Sequence, residues 1–376
     1  MSVAGDQVLP RYGQRSLSDL LPSVACALGL SGFTDALGLP PARRYVVVLV
    51  DGLGWHLLDA SRDVAPYLSS LDSLEPLTSG VPSTTVTSLT SLGTGLVPGQ
   101  HGVVGYTSRI PGTDRLLNAL KWSADVDPLT WQPHPSMFEQ MGAAGACVAT
   151  VNQSSFEGTG LTVCSQRGAA YYGADTVWER LSVVAEVAKA DCSVTYAYES
   201  TLDHLGHDQG CTGPAWRRRL AEVDDELLRL RAALPPDAVM VVTADHGMID
   251  IATEGRLDVD DFPDLLDDVV LLGGEARLRH VYCRAGAEDD VAARWQAYLG
   301  DRAVILTRAA AEEAGWFGPV APAVRPRIGD VLVAGLDDFA TFSRRLFPVE
   351  GKMIGFHGSL TPQEMLVPLL VDAPRR

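Results

Sequence analysis

Apolar, β-branched runs of five or six residues recur along this chain, separated by stretches whose apolar positions fall at helical spacing. The first, Tyr45-Val46-Val47-Val48-Leu49-Val50, is apolar at both parities, as expected of a strand covered on both faces. Cys147 to Val151, Val194 to Tyr198, Val239 to Thr243 and Leu366 to Val371 share that character. The clearest helical pattern lies between the third and fourth runs, where Trp216, Leu220, Val223, Leu227, Leu230 and Leu234 alternate spacings of four and three. Pro235-Pro236 stops that helix, and the next strand-like run follows at once. Strands alternating with amphipathic helices predict an α/β fold, a three-layer α/β/α sandwich with a mostly parallel central sheet.

Two regions depart from this rhythm. Residues 1 to about 44 mix Gly, Pro and short apolar patches, and read as a leader packed on the domain surface. From 255 to 350 the texture changes again. Asp258, Asp260, Asp261, Asp264, Asp267 and Asp268 form an acidic stretch, read as a solvated face, followed by short strand-like runs at Val269 to Leu272 and Val331 to Ala334. The chain is therefore expected to form a single domain over 1–376, with a cap subdomain inserted over 255–350.

Composition narrows the function classes. A hydrophobic fraction of 46% and a charged fraction of 20% suit a soluble globular enzyme. Lys plus Arg is 30 against 47 Asp plus Glu, a net charge of −17, which argues against duplex nucleic acid or an anionic membrane as partner. An anionic small molecule is still compatible, because bound cations reverse the field locally. The six cysteines are scattered with no CxxC pair, so neither a thiolate zinc site nor a disulfide framework is indicated. Met1 to Arg15 has no signal-peptide core and no apolar run is long enough to cross a bilayer, so a cytoplasmic protein is expected.

Candidate chemistry collects where the apolar runs stop. Asp51-Gly52 follows the first run, Asp203 and His207 lie just beyond the third, Asp245-His246 follows the fourth, and His357-Gly358 precedes the last. In an open parallel sheet, ligands gather at the carboxyl ends of strands. Asp203 and His207, four apart, can share one helix face. Oxygen and nitrogen donors delivered from several strand ends suit divalent cations. Each residue alone has a structural reading, an aspartate as a helix cap or a histidine as a hydrogen-bonded core residue. Val81-Pro82-Ser83-Thr84-Thr85 adds a hydroxyl cluster entering a predicted helix, where capping is the competing role. No role is argued for His56, His101, His134, His204 or His280. Trp55, Trp122, Trp131, Tyr171 and Tyr172 read as packing residues, and Lys121 and Arg109 as solvent-exposed.

Taken in order, these fragments resemble the alkaline phosphatase superfamily, and within it the type I phosphodiesterase/nucleotide pyrophosphatase group. The matching pieces are Asp51-Gly52, Pro82-Ser83-Thr84-Thr85, Thr94-Gly95-Leu96-Val97-Pro98, His101-Gly102, Asp203-xx-Gly206-His207, Ala244-Asp245-His246-Gly247-Met248 and His357-Gly358. The resemblance implies two divalent cations, zinc in most of the group with manganese as the alternative. Asp203, His207 and His357 would hold one; Asp51, Asp245, His246 and the nucleophile would hold the other. It places the nucleophile at Thr85, with Thr84 and Ser83 as alternatives, and implies a phospho-threonine intermediate on the way to hydrolysis of a small-molecule phosphate ester. Two departures stand out. Val86 occupies a position where the group often carries a base-stacking aromatic, and Tyr106 stands where an asparagine commonly donates to a phosphate oxygen. The expected activity is hydrolysis of phosphodiester or nucleotide pyrophosphate-type bonds; the alternatives are a phosphomonoesterase or phosphonate hydrolase on the same site, or a metal-bound binding protein.

Overall fold

The computed structural model of the chain describes residues 7–374. Eleven strands frame the site: β1 (Arg44–Val50), β2 (Asp72–Thr78), β3 (Cys147–Asn152), β4 (Ala170–Gly173), β5 (Ser193–Glu199), β6 (Ala238–Thr243), β7 (Val269–Glu275), β8 (Leu278–Cys283), β9 (Ala303–Thr307), β10 (Val331–Gly335) and β11 (Leu366–Asp372). The described helices of eight residues or more are α1 (Leu20–Ala27), α2 (Thr85–Thr94), α3 (Val177–Val187), α4 (Thr201–Gln209), α5 (Pro214–Ala233) and α6 (Glu288–Leu299).

Seven strands form the central sheet in the order β2-β11-β6-β1-β5-β3-β4. β1 lies in the middle, parallel to both β5 and β6, and every residue of it from Tyr45 to Val50 is buried. That is what its unbroken apolar run requires. β11 is the antiparallel strand, pairing with β6 on one side and β2 on the other. The apolar runs thus mark the sheet's interior. Its two edge strands, β2 and β4, escape the pattern because they are largely unburied, and β2 carries Pro76, which an edge tolerates. α5 buries Trp216, Leu220, Val223, Leu227 and Leu230 on one face, as their spacing predicts.

The N-terminal segment is more than a surface leader. Leu17, Leu20, Leu21, Val24 and Ala25 are fully buried and belong to the same apolar core as β1 and β6. α1 is therefore part of the sandwich, its stripe too short to stand out among the Gly and Pro residues around it.

Residues 255–350 hold a second, antiparallel sheet in the order β7-β8-β10-β9. One face packs on α6 through Val281, Val331, Val333 and Trp295. The other, through Leu278, Leu332 and Ala334, packs with Trp316 and Phe317 against Val81, Val104, Leu360 and Met365 of the main body. A fully buried ion pair crosses the same junction: Arg277 donates through Nε and Nη2 to the two carboxylate oxygens of Glu364 at 3.0 and 2.7 Å. Of the six aspartates in the acidic stretch, Asp261, Asp264, Asp267 and Asp268 are exposed, whereas Asp258 and Asp260 are half-buried and paired with Arg344 and Arg345.

Candidate metal centre and nucleophile

The residues that the sequence scatters over three hundred positions meet at the carboxyl end of the central sheet. Asp51 leaves β1 and Asp245 and His246 follow β6, its neighbour, so two adjacent strand ends deliver three donors. The turns after them touch: the Gly52 N–H donates to Asp245 Oδ1 at 3.1 Å, with Gly52 at φ +74°. A Cβ on Gly247 would lie 1.9 Å from the Gln363 carbonyl oxygen, so only glycine fits there. Asp203 and His207 sit one turn apart on α4, which starts where β5 ends. His357 arrives from the loop before β11. Ligand atoms of Asp203, His207 and His357 lie within 4.8 Å of one another, and so do those of Asp51, Asp245 and His246. The two triads adjoin, because the His246 and His357 rings stack with centroids 3.6 Å apart.

The histidines share one orientation. His246 Nδ1 faces the Gly247 carbonyl at 3.1 Å, His207 Nδ1 the Gly355 carbonyl at 2.8 Å, and His357 Nδ1 the Ser83 carbonyl at 3.0 Å. A carbonyl only accepts, so each Nδ1 carries a proton, and in the neutral ring Nε2 is left with a lone pair. Those lone pairs point at carboxylates: His246 Nε2 lies 3.4 Å from both Asp51 and Asp245, and His207 Nε2 3.5 Å from Asp203. Acceptor facing acceptor is repulsive unless a cation lies between them. An imidazole fixed through Nδ1 to a carbonyl is also how metal-bound histidines are held.

The carboxylates carry the same message. Asp51 Oδ1, Asp203 Oδ1 and Asp245 Oδ2 are buried with no hydrogen-bond partner. No lysine or arginine pairs with any of the three among the described residues. Burial, then the charges of Asp245 and Asp203, push the Asp51 carboxyl well above the usual carboxylate range. Burial, then His246 and His207, hold His357 well below the usual imidazole range. Such a donor set fits divalent cations, whose charge would satisfy the orphaned oxygens, oppose the rise at Asp51 and keep the His357 ring neutral.

Thr85 opens α2 beside this cluster, its hydroxyl 3.2 Å from His246 Nε2. The competing hydroxyls are engaged elsewhere. Ser83 Oγ donates to the Ser359 carbonyl at 2.6 Å and accepts from the Gly358 N–H at 3.2 Å. Thr90 and Thr94 bond back to carbonyls one turn earlier, and Ser91 pairs with His101. The buried His101 ring, pushed down to about 3 by burial, is a neutral spacer between Ser91 and the Val103 N–H. Thr84, the N-cap, makes no side-chain capping bond to α2, so the first N–H groups of that helix stay free beside Thr85 for an anion.

Tyr106 is fixed through its backbone, its N–H donating to Glu275 at 3.3 Å and its carbonyl accepting from Ala119 at 2.9 Å; no hydrogen bond ties its hydroxyl to the triads among the described residues. Val86 turns inward to pack with Val103, Leu117, Ala119 and Trp131, so it walls the helix rather than the opening above Thr85. Two site residues have no sequence signature. Tyr198, inside β5, donates its hydroxyl to Asp51 Oδ2, and Glu275 at the end of β7 reaches the Thr84 loop. A strand tyrosine and one more acid in an acidic chain offer nothing that singles them out.

An α/β sandwich that gathers two acid–imidazole triads around a helix-terminal hydroxyl defines the alkaline phosphatase-like class. The family description for type I phosphodiesterase/nucleotide pyrophosphatase matches residues 45–360. The chain belongs to that family and is a phosphoric ester hydrolase. Among solved structures it is similar to murine ectonucleotide pyrophosphatase/phosphodiesterase 5, an inactive variant in complex with AMP, with 16% identity, a TM-score of 0.71 and 88% of each chain covered. It is also similar to phosphonoacetate hydrolase from Sinorhizobium meliloti 1021 in complex with phosphonoformate, with 20% identity, a TM-score of 0.67, and 88% of this chain and 90% of that one covered. At these identities the likeness is one of fold. No curated protein matches the chain by sequence.

Proposed function

We propose that this protein hydrolyses phosphodiester or nucleotide pyrophosphate-type bonds through a phospho-threonine intermediate on Thr85. The observation that carries the reading is the convergence of three imidazole Nε2 atoms and three unpartnered carboxylate oxygens in two adjoining triads beside one hydroxyl, with no cationic side chain paired to them among the described residues. Asp203, His207 and His357 would hold one divalent cation, and Asp51, Asp245, His246 and Thr85 a second; the mixed nitrogen and oxygen donors suit zinc, with manganese as the alternative. Bound there, such ions lower the pKa of a hydroxyl and neutralise charge on phosphoryl oxygens.

The residues divide the remaining work. Thr85 Oγ1 loses its proton to solvent and attacks phosphorus, the bond to the departing oxygen breaks and that oxygen takes up a proton, and the phosphoryl group, still carrying its second ester, is left esterified to Thr85. Free N–H groups at the start of α2 hold its non-bridging oxygens through this step. Water then attacks phosphorus from the side the leaving group vacated, breaking the Thr85 ester and restoring the hydroxyl. Tyr198 keeps Asp51 oriented throughout.

Diesters are favoured over monoesters because no lysine or arginine among the described residues pairs with the triad carboxylates, where a monoester's additional anionic oxygen would call for one. The phosphonate alternative rests on the same site and on the likeness to a phosphonoacetate hydrolase. The test is release of p-nitrophenol from bis-p-nitrophenyl phosphate against p-nitrophenyl phosphate, with chelator and with added zinc or manganese. We expect chelator-sensitive turnover, faster on the diester, lost in Thr85→Ala by about 10³-fold or more. Turnover that survives both chelation and Thr85→Ala overturns the reading.

A further inference from the structure

The cap contributes no candidate metal ligand, yet one of its side chains reaches both loops that build the site. Glu275, the last residue of β7, is buried, and its Oε2 accepts the Tyr106 N–H at 3.3 Å. The Thr84 hydroxyl, one residue before the nucleophile, lies close enough to oppose the rise in pKa of the Glu275 carboxyl. The Glu275 Cγ packs on Gly358, one residue after His357; a Cβ added there would fall 2.7 Å from it. Those two loops already grip each other through Ser83, whose N–H donates to the Gly358 carbonyl at 3.2 Å and whose carbonyl faces His357 Nδ1. Glu275 closes this arrangement from the cap side.

Its surroundings distinguish it from the other buried acids nearby. Arg277 and Arg279, the next charged residues along the chain, turn to Glu364 and Glu350 and leave Glu275 without an ion-pair partner among the described residues. Oε1 of Glu275 is buried and unpartnered. Burial pushes the carboxyl up to about 8, against the opposing pull of the Thr84 hydroxyl and the Tyr106 N–H, so the group is neutral at pH 7. A neutral carboxyl can accept from Tyr106 and lie beside the Thr84 hydroxyl without adding a buried charge.

We propose that Glu275 is a positioning residue for phosphoryl transfer: from the cap it fixes Thr84 and Gly358 against each other and thereby sets the placement of Thr85 at the start of α2. The inference rests on the assignment of Thr85 as nucleophile. It makes docking of the cap part of the catalytic geometry, since a strand end of the cap sheet braces the nucleophile loop. A shift of about 1 Å in a nucleophile is enough to slow a reaction by roughly 100-fold.

The test compares Glu275→Gln, which keeps the size and hydrogen bonding of a neutral carboxyl, with Glu275→Met, which keeps the size alone. In the zinc-loaded protein we expect Glu275→Met to lower kcat on bis-p-nitrophenyl phosphate by about 10- to 100-fold with KM within about 3-fold, and Glu275→Gln to stay within about 3-fold of the parent in both. Amide hydrogen exchange supplies a readout independent of turnover: residues 83–88 should exchange faster in Glu275→Met and unchanged in Glu275→Gln. Thr84→Val removes the same contact from the other side and should reproduce the Met result, which covers a Met variant that fails to fold. Wild-type protein inactive on every ester would sink the functional reading, while the exchange comparison would still decide whether Glu275 orders the loop. Parental kcat and parental exchange in both Glu275→Met and Thr84→Val would overturn the proposal, as would equal losses in Gln and Met.

Discussion

Two groups of buried carboxylates in this molecule are treated in opposite ways. In the cap and at its junction with the main body, Glu364 and Glu350 each face a buried guanidinium, Arg277 and Arg279, and Glu364 also accepts from the Ser359 N–H and the Thr361 hydroxyl. At the rim of the central sheet, Asp51, Asp203 and Asp245 face imidazole lone pairs and one another, and each has an oxygen without a partner. Moving an ion out of water is expensive unless its charge is met nearby. Glu350 and Glu364 have that requirement met within the chain, so they are structural. The sheet rim does not, and this is what marks it as a place for cations and chemistry.

The sharpest way to break this comparison is to remove a rim carboxylate. Asp245→Ala should lower kcat by about 10³-fold or more, in the range seen when a central catalytic group is deleted. It should also reduce bound zinc, measured by mass spectrometry of desalted protein, from two ions toward one per chain. Unchanged metal content would separate Asp245 from the cation sites. The matching change in the cap should leave chemistry alone and strike stability. Arg277→Met leaves Glu364 buried and uncompensated, a loss of about 3–5 kcal/mol. The double variant Arg277→Met with Glu364→Met should recover most of that in urea unfolding, because an apolar pair of similar volume substitutes well for a buried ion pair. Equal losses in single and double variants would mean that Glu364 matters mainly through Ser359 and Thr361.

The same contrast explains what could be read from the sequence. Rim residues are legible because geometry ties them to strand ends: Asp51 and Asp245-His246 each follow a fully buried run, and Asp203 and His207 share a helix turn just after another. Covered strands write unbroken apolar runs, so the sheet interior is legible too. Edge strands are not, since β2 and β4 alternate or lie exposed and resemble loops. Cap contacts are legible least. Arg277–Glu364 spans 87 residues and Glu275–Tyr106 spans 169, and neither partner sits in a local pattern that names the other. The proposed nucleophile lies between these extremes. Ser83, Thr84 and Thr85 are equivalent as text, and only folding locks Ser83 on Gly358 and Ser359 and turns Thr85 toward His246.

A smaller effect sharpens the picture of the rim. If repulsion among unpartnered carboxylates is what cations relieve, then neutralising one of them should help the protein when metal is absent and harm it when metal is present. Asp51→Asn should raise the unfolding midpoint of chelated protein and lower the stabilisation gained on adding zinc, followed by thermal unfolding at fixed pH. A midpoint unchanged by the substitution in chelated protein would show that the charge on Asp51 is already relieved without a cation, by a proton or by water.

Glu275 stands between the two regions, a buried acid with neither a guanidinium nor a place in the cation triads, and its predicted signature is a modest dependence of stability on pH. Its folded pKa is raised from 4.5 to about 8, chiefly by burial, with the Thr84 hydroxyl, the Tyr106 N–H and Arg279 opposing and Glu350 adding to the rise. A raised carboxyl binds its proton more tightly folded than unfolded. Its favourable contribution is therefore complete below about 4.5 and is lost progressively as pH climbs to about 8. Glutamine carries no proton to lose. The unfolding temperature of Glu275→Gln should thus gain on that of the parent as pH rises from 5 toward about 8, and the gap should stop widening above it. A gap that stays constant across that window would mean the Glu275 carboxyl is already ionised in the folded protein, and with it the distinction drawn here between a braced neutral acid and the charged rim would be lost.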